Sequence, residues 1–264
     1  MNIFLHELKT YRKSIIIWAG SMTALAVMYI FIFKNLGNDI EAFKVFLNNM
    51  PDVMKKAFNI YVESISTLVG FYSFVFSFIV LCGGIQAMNI GTAIVSKEVR
   101  DKTADFLMTK PVSRNGILTS KLLAALTVLV LTNIIYLGLT ITVTTALVGD
   151  YNLKLFLLIS VTMFFVQLMF MALGIIVSVI TGKIKSVISI SLSTVFGFYI
   201  IGSMGSFLGE ERVRYLSPFR YFDTAYIIEN AAYEVSFVIV CLVFVVSAIA
   251  GSYLVYMKKD TRAV

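Results

Sequence analysis

The sequence predicts an all-α, polytopic membrane protein with six transmembrane helices and both termini on the cytoplasmic side. Three observations carry that prediction. Of 264 residues, 59% are hydrophobic and 14% are charged, whereas soluble domains run at about 45–50% apolar and about 25% charged. The apolar residues gather into six runs, each close to the roughly 20 residues that cross a bilayer. The charges fall almost wholly between the runs. A net charge of +7 would suggest nucleic acid in a soluble protein. Here the distribution of the charges decides, and no nucleic-acid partner is expected.

The chain reads as a single transmembrane domain over 1–264. Within residues 1–13, Phe4, Leu8, Tyr11 and Ile15 fall on one helical face, with His6, Lys9 and Lys13 opposite. That pattern suits a helix lying in the membrane surface before the chain turns in. The first span is expected over 15–33. It is longer than a signal-peptide core, and no convincing small-residue cleavage site follows, so it reads as a retained anchor. Residues 34–66 form an outer segment containing Pro51, with one or two short surface helices. The second span covers 67–95 and the third 122–148, separated by the polar segment 96–121. A short link at 149–154 leads to the fourth span, 155–181. The turn Gly182-Lys183-Ile184-Lys185-Ser186 makes an antiparallel hairpin with the fifth span, 187–208. A second outer segment, 209–234, is rich in aromatics and precedes the sixth span, 235–257.

Orientation follows from the basic residues. The N-terminus, 96–121, 182–186 and the C-terminal tail together hold 14 of the 22 Lys and Arg. Positively charged segments stay in the cytoplasm, so both ends are placed inside.

The spans contain no ionisable residue. Ion-coupled transporters usually keep one near the membrane midplane, so a secondary transporter is disfavoured. The one histidine, His6, lies outside the spans, which disfavours intramembrane hydrolysis by a Ser-His pair or a zinc centre. No Gly-x-x-x-x-Gly-Lys-Ser/Thr loop occurs, so the chain is not expected to hydrolyse ATP. Cys82 and Cys241 sit in apolar runs and read as packing thiols. Gln86, Asn89, Asn133 and Gln167 are expected to hydrogen-bond between helices, with a substrate path as the other reading. Gly83, Ala87 and Gly91 on the second span, and Ser189, Ser193 and Gly197 on the fifth, are small residues at four-residue spacing. They fit tight packing within the subunit, packing across a dimer, or the lining of a path.

Residues 96–121 are the densest charged stretch, with six basic and three acidic residues. Pro111 stops a helix ending near Thr109, and Ser113 suits the N-cap of the helix that becomes the third span. Charge and spacing leave two readings open: a force-transmitting amphipathic helix, or a basic anchor on anionic lipid.

The string Lys97-Glu98-x-Arg100-Asp101-Lys102-Thr103-x-Asp105-Phe106-Leu107-x3-Pro111-Val112-Ser113-Arg114, with Lys121 opening the third span, resembles the signature of bacterial ABC-type export permeases. That six-span group includes bacitracin-resistance and sodium-export permeases. Lys102 stands where the family more often has Gly. The resemblance extends to the N-terminal helix, the Pro51 region and Leu216-Ser217-Pro218-Phe219-Arg220-Tyr221-Phe222. It implies a multi-pass half-transporter in the bacterial plasma membrane, paired with a second, identical or related, permease subunit. Cytoplasmic ATPase subunits would bind ATP and Mg, leaving this chain without catalytic residue, metal or cofactor. By the same resemblance Glu98, Arg100, Asp101 and Lys102 would make polar contacts with the ATPase, and Phe106 and Leu107 would pack on it. Thr103, Asp105, Pro111 and Arg114 complete the matching motif. A cap over the exit is one reading of residues 216–226; an aromatic belt is the other. The competing functional readings are a non-transporting anchor or sensor subunit and a secondary transporter or channel.

Overall fold

The computed structural model describes residues 3–51, 54–55, 60–100, 113–181, 184–208 and 211–258, the side chains at 38, 98–100, 206–208 and 211 excepted. Six of its helices are long and apolar enough to cross a membrane. In chain order the helices are α1 (Ile3–Leu36), α2 (Ile40–Asn48), α3 (Leu68–Arg100), α4 (Arg114–Val148), α5 (Leu153–Ile180), α6 (Val187–Leu208), α7 (Glu211–Arg214), α8 (Thr224–Asn230) and α9 (Val235–Lys258). Single 3-10 turns occupy Gly37–Asp39 and Pro218–Arg220.

All six expected spans are present, and several run further than their apolar cores. Helix α3 continues to Arg100 and α4 begins at Arg114, because backbone hydrogen bonding propagates through polar residues that hydropathy leaves out. Ser113 caps α4 as expected, its Oγ accepting from the Gly116 N–H at 3.2 Å. Asn152 does the same for α5, accepting from Leu155 N–H at 3.1 Å. The described part of segment 34–66 holds a 3-10 turn and the short helix α2.

The pattern of residues 1–13 suggests a surface helix that turns before the first span, but Ile3–Leu36 is a single uninterrupted helix. No proline interrupts that stretch, so nothing in the backbone chemistry stops the helix from running on. Its apolar stripe also faces protein: Phe4, Leu8 and Tyr11 pack half-buried against the core and Ile15 is buried. His6, Lys9 and Lys13 remain on the exposed side.

The most extensive interface joins α3 to α5, followed by α1 to α4; α9 leans on α5, and both α1 and α6 touch α3. Consequently α3 and α5 form the interior, while α6 and α9 are mostly uncovered. The α3–α5 contact depends on two glycines. A Cβ at Gly91 would lie 2.3 Å from the Met171 carbonyl oxygen, and one at Gly174 would lie 2.7 Å from Met88 O and Thr92 N. The backbones therefore meet with no side chain between them, the close approach that small residues permit in membrane bundles. Gly83 and Ala87, on the same face of α3, are also buried, and a Cβ at Gly83 would press on the Met163 side chain at 2.9 Å.

The two ends of the bundle can be told apart from cross-contacts. The N-terminal turns of α1, the end of α3, the start of α4 and the end of α9 share one end, where Glu7 meets Lys97 and Thr119 meets Tyr253. The other end gathers α2, the start of α3 and the segment between α6 and α9, with Phe33 and Phe43 both against Phe71 and Tyr61 bonded to Asp223.

Gly91→Leu is expected to lower the melting temperature of the purified protein and reduce its monodisperse yield. The replacement must separate two backbones, and overpacking of this kind costs about 1–3 kcal/mol or more. Gly138, with nothing within 4 Å of its Cβ position, should accept Ala with no loss in the same melting assay.

Candidate functional site

The segment that joins α3 to α4 is the strongest functional candidate in the sequence, and most of it, residues 101–112, lies outside the described residues. Asp101, Lys102, Thr103, Asp105, Phe106, Leu107 and Pro111 belong to that stretch. Glu98 and Arg100 occupy the last turn of α3, their side chains outside the description. Arg114 is the first residue of α4, half-buried.

The stem below that segment is well defined. The Lys121 side chain, 2% exposed, turns from α4 into the bundle and donates to the Ile94 carbonyl of α3 at 2.7 Å. A buried ammonium is tolerated only where its donors are used, and here it ties the two arms of the loop together. Beside it, Lys97 of α3 forms an ion pair with Glu7 of α1, whose side chain is 3% exposed. The carboxylate of Glu7 is thus held in the protein by the base of the loop. The motif drew attention to Lys97 and Lys121. Glu7 was missed because a lone acid in a basic N-terminus gives no signal in hydropathy. Its position, on the same face as Phe4 and Leu8, was the available clue.

Two further polar tiers cross-link α3, α4 and α5. In the middle tier, Gln86 Nε2 donates to Thr132 Oγ1 at 3.0 Å and Gln167 Nε2 donates to Gln86 Oε1 at 3.1 Å. Asn133 Nδ2 donates to Gln167 Oε1 at 2.6 Å. All four residues are buried. Toward the far end, the Tyr72 hydroxyl meets the Tyr136 hydroxyl at 2.6 Å and Ser160 Oγ at 2.8 Å. Gln86, Asn133 and Gln167 therefore bond between helices, as expected from the sequence; Asn89 is half-buried on α3. The small-residue stripe of α6 behaves differently from that of α3. Ser189 and Ser193 are exposed, and nothing lies within 4 Å of a Cβ at Gly197.

The far end is built around Arg214. Its guanidinium donates to Glu234 at both carboxylate oxygens, to the Arg220 carbonyl at 2.7 Å and to the Tyr221 carbonyl at 3.4 Å. It also lies 3.9 Å over the Phe237 ring. Such a bidentate, stacked arrangement is specific to arginine. Ser217, fully buried, donates to the Phe198 carbonyl of α6 at 2.8 Å. Asp223 caps α8 by accepting from Ala225 N–H at 2.9 Å and also accepts from the Tyr61 hydroxyl at 3.0 Å. Burial, reinforced by the neighbouring Asp223, raises the Tyr61 phenol well above its ordinary value. Burial pushes the Tyr233 phenol up to about 12, and its hydroxyl donates to the Leu158 carbonyl at 2.7 Å.

A six-span bundle with a polar loop braced from inside, interhelical amides and no charged residue at mid-span has the architecture of a membrane permease. The family profile described as "ABC-2 family transporter protein" matches residues 1–261. The chain belongs to that family, and is a membrane permease component of an ABC transporter. No curated protein matches it.

Gln167→Leu would leave the amides of Gln86 and Asn133 with lost partners in a dry interior, a cost of about 1–3 kcal/mol. A thermal melt of the purified variant should show that loss, and Gln167→Glu should not repair it.

Proposed function

We propose that the chain is the membrane subunit of an ATP-driven exporter of the bacterial plasma membrane, moving its cargo outward with energy from a separate cytoplasmic ATPase. The observation that carries this reading is the braced stem. Residues 101–112 join α3 to α4 above a stem in which the buried Lys121 holds the Ile94 carbonyl and the half-buried Lys97 is paired with Glu7 of α1. A push on the loop reaches three spanning helices at once, without needing a charge in the membrane. The predominance of Lys and Arg on this side supports a cytoplasmic loop.

In this reading Phe106 and Leu107 pack against the ATPase, and Glu98, Arg100, Asp101 and Lys102 hold its surface by polar contacts. Thr103, Asp105, Pro111 and Arg114 belong to the same ATPase-coupling set. ATP and Mg are bound by the partner. Two permease subunits stand side by side, and closure of the ATPases rotates helices as rigid bodies. The uncovered faces of α6 and α9 are compatible with a second subunit.

The test is reconstitution with the ATP-binding-cassette ATPase that co-purifies with this chain from native membranes in mild detergent. Phe106→Ala with Leu107→Ala should weaken ATPase association by roughly ten-fold or more, the loss typical of buried apolar anchors, while the membrane part stays monodisperse. Wild-type affinity of that double variant would overturn the coupling assignment. Glu7→Gln should leave association intact but lower transport per ATP hydrolysed, because the loop base loses its grip on α1. ATP turnover by this chain alone, free of any ATPase, would contradict the division of labour.

A further inference from the structure

The face of α1 turned away from Glu7 is uncovered, and its chemistry changes along the helix. Lys9, Arg12 and Lys13 are exposed in its early turns, and Ile16, Ile17, Gly20 and Ala24 are exposed in the turns that follow. Lys9, Lys13, Ile17, Gly20 and Ala24 recur every three or four residues, so they form one stripe. Ile16 and Ile17 are 69% and 64% exposed, and nothing lies within 4 Å of a Cβ at Gly20.

Two features set this stripe apart from an ordinary solvated face. The first is unbalanced charge. Glu7 is the only acidic residue before Asp39, and its carboxylate is taken by Lys97 inside the protein. Among the described residues, no carboxylate pairs with Lys9, Arg12 or Lys13. The second is depth. At 1.5 Å per residue, Arg12 and Lys13 lie about 3–5 Å and Lys9 about 9 Å beyond Ile15, where the apolar run begins. The headgroup layer on each side of a bilayer is about 5–8 Å thick, and long basic side chains adjust their reach to it. The three cations therefore stand at the level of lipid phosphates. Ile16, Ile17, Gly20 and Ala24 stand at the level of the acyl chains directly below.

We propose that this stripe is a binding site for an anionic phospholipid, with Lys9, Arg12 and Lys13 holding the headgroup and Ile16, Ile17 and Gly20 lying against an acyl chain. A zwitterionic headgroup brings its own cation to the three already present. A second copy of this chain, packed stripe to stripe, would set three cations against three with no acid between them. A soluble anion leaves the isoleucines without a partner. The contact depends on membrane insertion alone, whatever the chain transports. It places lipid on the outer side of the same turns whose inner side carries Glu7, and so beside the stem of residues 101–112.

The experiment uses tryptophan fluorescence of the full chain in lipid vesicles. The chain has one tryptophan, Trp18. Combining Trp18→Phe with Ile17→Trp moves the only indole into the stripe, one turn beyond Lys13. Quenching by dibrominated phosphatidylglycerol and by dibrominated phosphatidylcholine is compared at equal low mole fraction in phosphatidylcholine vesicles. The anionic lipid should associate roughly five-fold or more tightly, given the attraction of each basic residue near a charged headgroup. Adding Lys9→Gln, Arg12→Gln and Lys13→Gln should bring the ratio close to one, with quenching by the zwitterionic lipid unchanged as the sign of intact insertion. Lys13→Gln alone should remove part of the preference, and Lys9→Arg with Lys13→Arg should keep it. Arg212→Gln, exposed at the other end of the bundle, should leave it untouched. Inorganic phosphate and sodium chloride at matched ionic strength should weaken the preference equally by screening. A loss specific to phosphate would overturn the lipid in favour of a free anion. Equal quenching by the two lipids, or a preference that survives the triple substitution, would overturn the site. Absence of quenching by either lipid would overturn it in favour of a face covered by protein.

Discussion

The crossing of α3 and α5 at Gly91 and Gly174 governs everything around it. Backbone meets backbone there, which fixes how far apart the two helices can be along their whole length. Because that separation is small, the amides of Gln86 and Gln167 can reach each other directly, and Asn133 and Thr132 of α4 complete the set. In hydrocarbon, where no water can replace a missing partner, such bonds decide register rather than merely add stability. The tyrosine pair near one end and the Lys121 contact near the other follow the same geometry. Helices α3, α4 and α5 are thus tied together at two heights and α3 to α4 at a third, whereas α6 and α9 lean on this group largely by apolar contact.

That arrangement separates the molecule into a stiff centre and two differently finished ends. One end is finished with charge inside the protein: Glu7, Lys97 and Lys121 hold the mouth of the loop in fixed relation to α1. The other is finished by a folded segment in which Arg214 gathers the start of α9 and two backbone carbonyls into one knot. A small cavity beneath that knot is bounded by helices of both kinds, α3 and α5 from the stiff centre and α6 from the periphery. In the proposed transport cycle, a shift of α6 would alter its volume while α3 and α5 stay in register.

Much of this was legible from residue pattern. Six apolar runs yielded six helices, and Ser113 was readable as a cap because a hydroxyl after Pro111 and before an apolar run has few other uses. The interhelical amides were legible for an equally plain reason, since Gln and Asn in lipid must find partners. Helix ends were less legible. Hydropathy marks where lipid begins and not where backbone hydrogen bonding stops, which is why α1 and α4 extend beyond their apolar cores. The two small-residue stripes looked alike in sequence and differ in place: Gly91 meets another backbone, whereas Ser193 is exposed. Spacing shows that a face is smooth but not what lies against it. The role of Arg214 was hidden for a related reason. Its partners, the Arg220 and Tyr221 carbonyls and Glu234, are brought round it by the fold of the segment before α9, and no local spacing announces them.

The unbroken α1 has a mechanical consequence. Its 34 residues span about 51 Å at 1.5 Å per residue, against a hydrocarbon layer of about 30 Å. The surplus behaves as a lever arm, pinned near one tip by Glu7 and seated at the other, through Phe33, on the Phe71 ring of α3. A rigid rod fixed at both tips to the same neighbouring helix cannot swing independently of it. Tilting α3 must therefore carry α1 along, so that a tug at one edge of the membrane is also felt at the other.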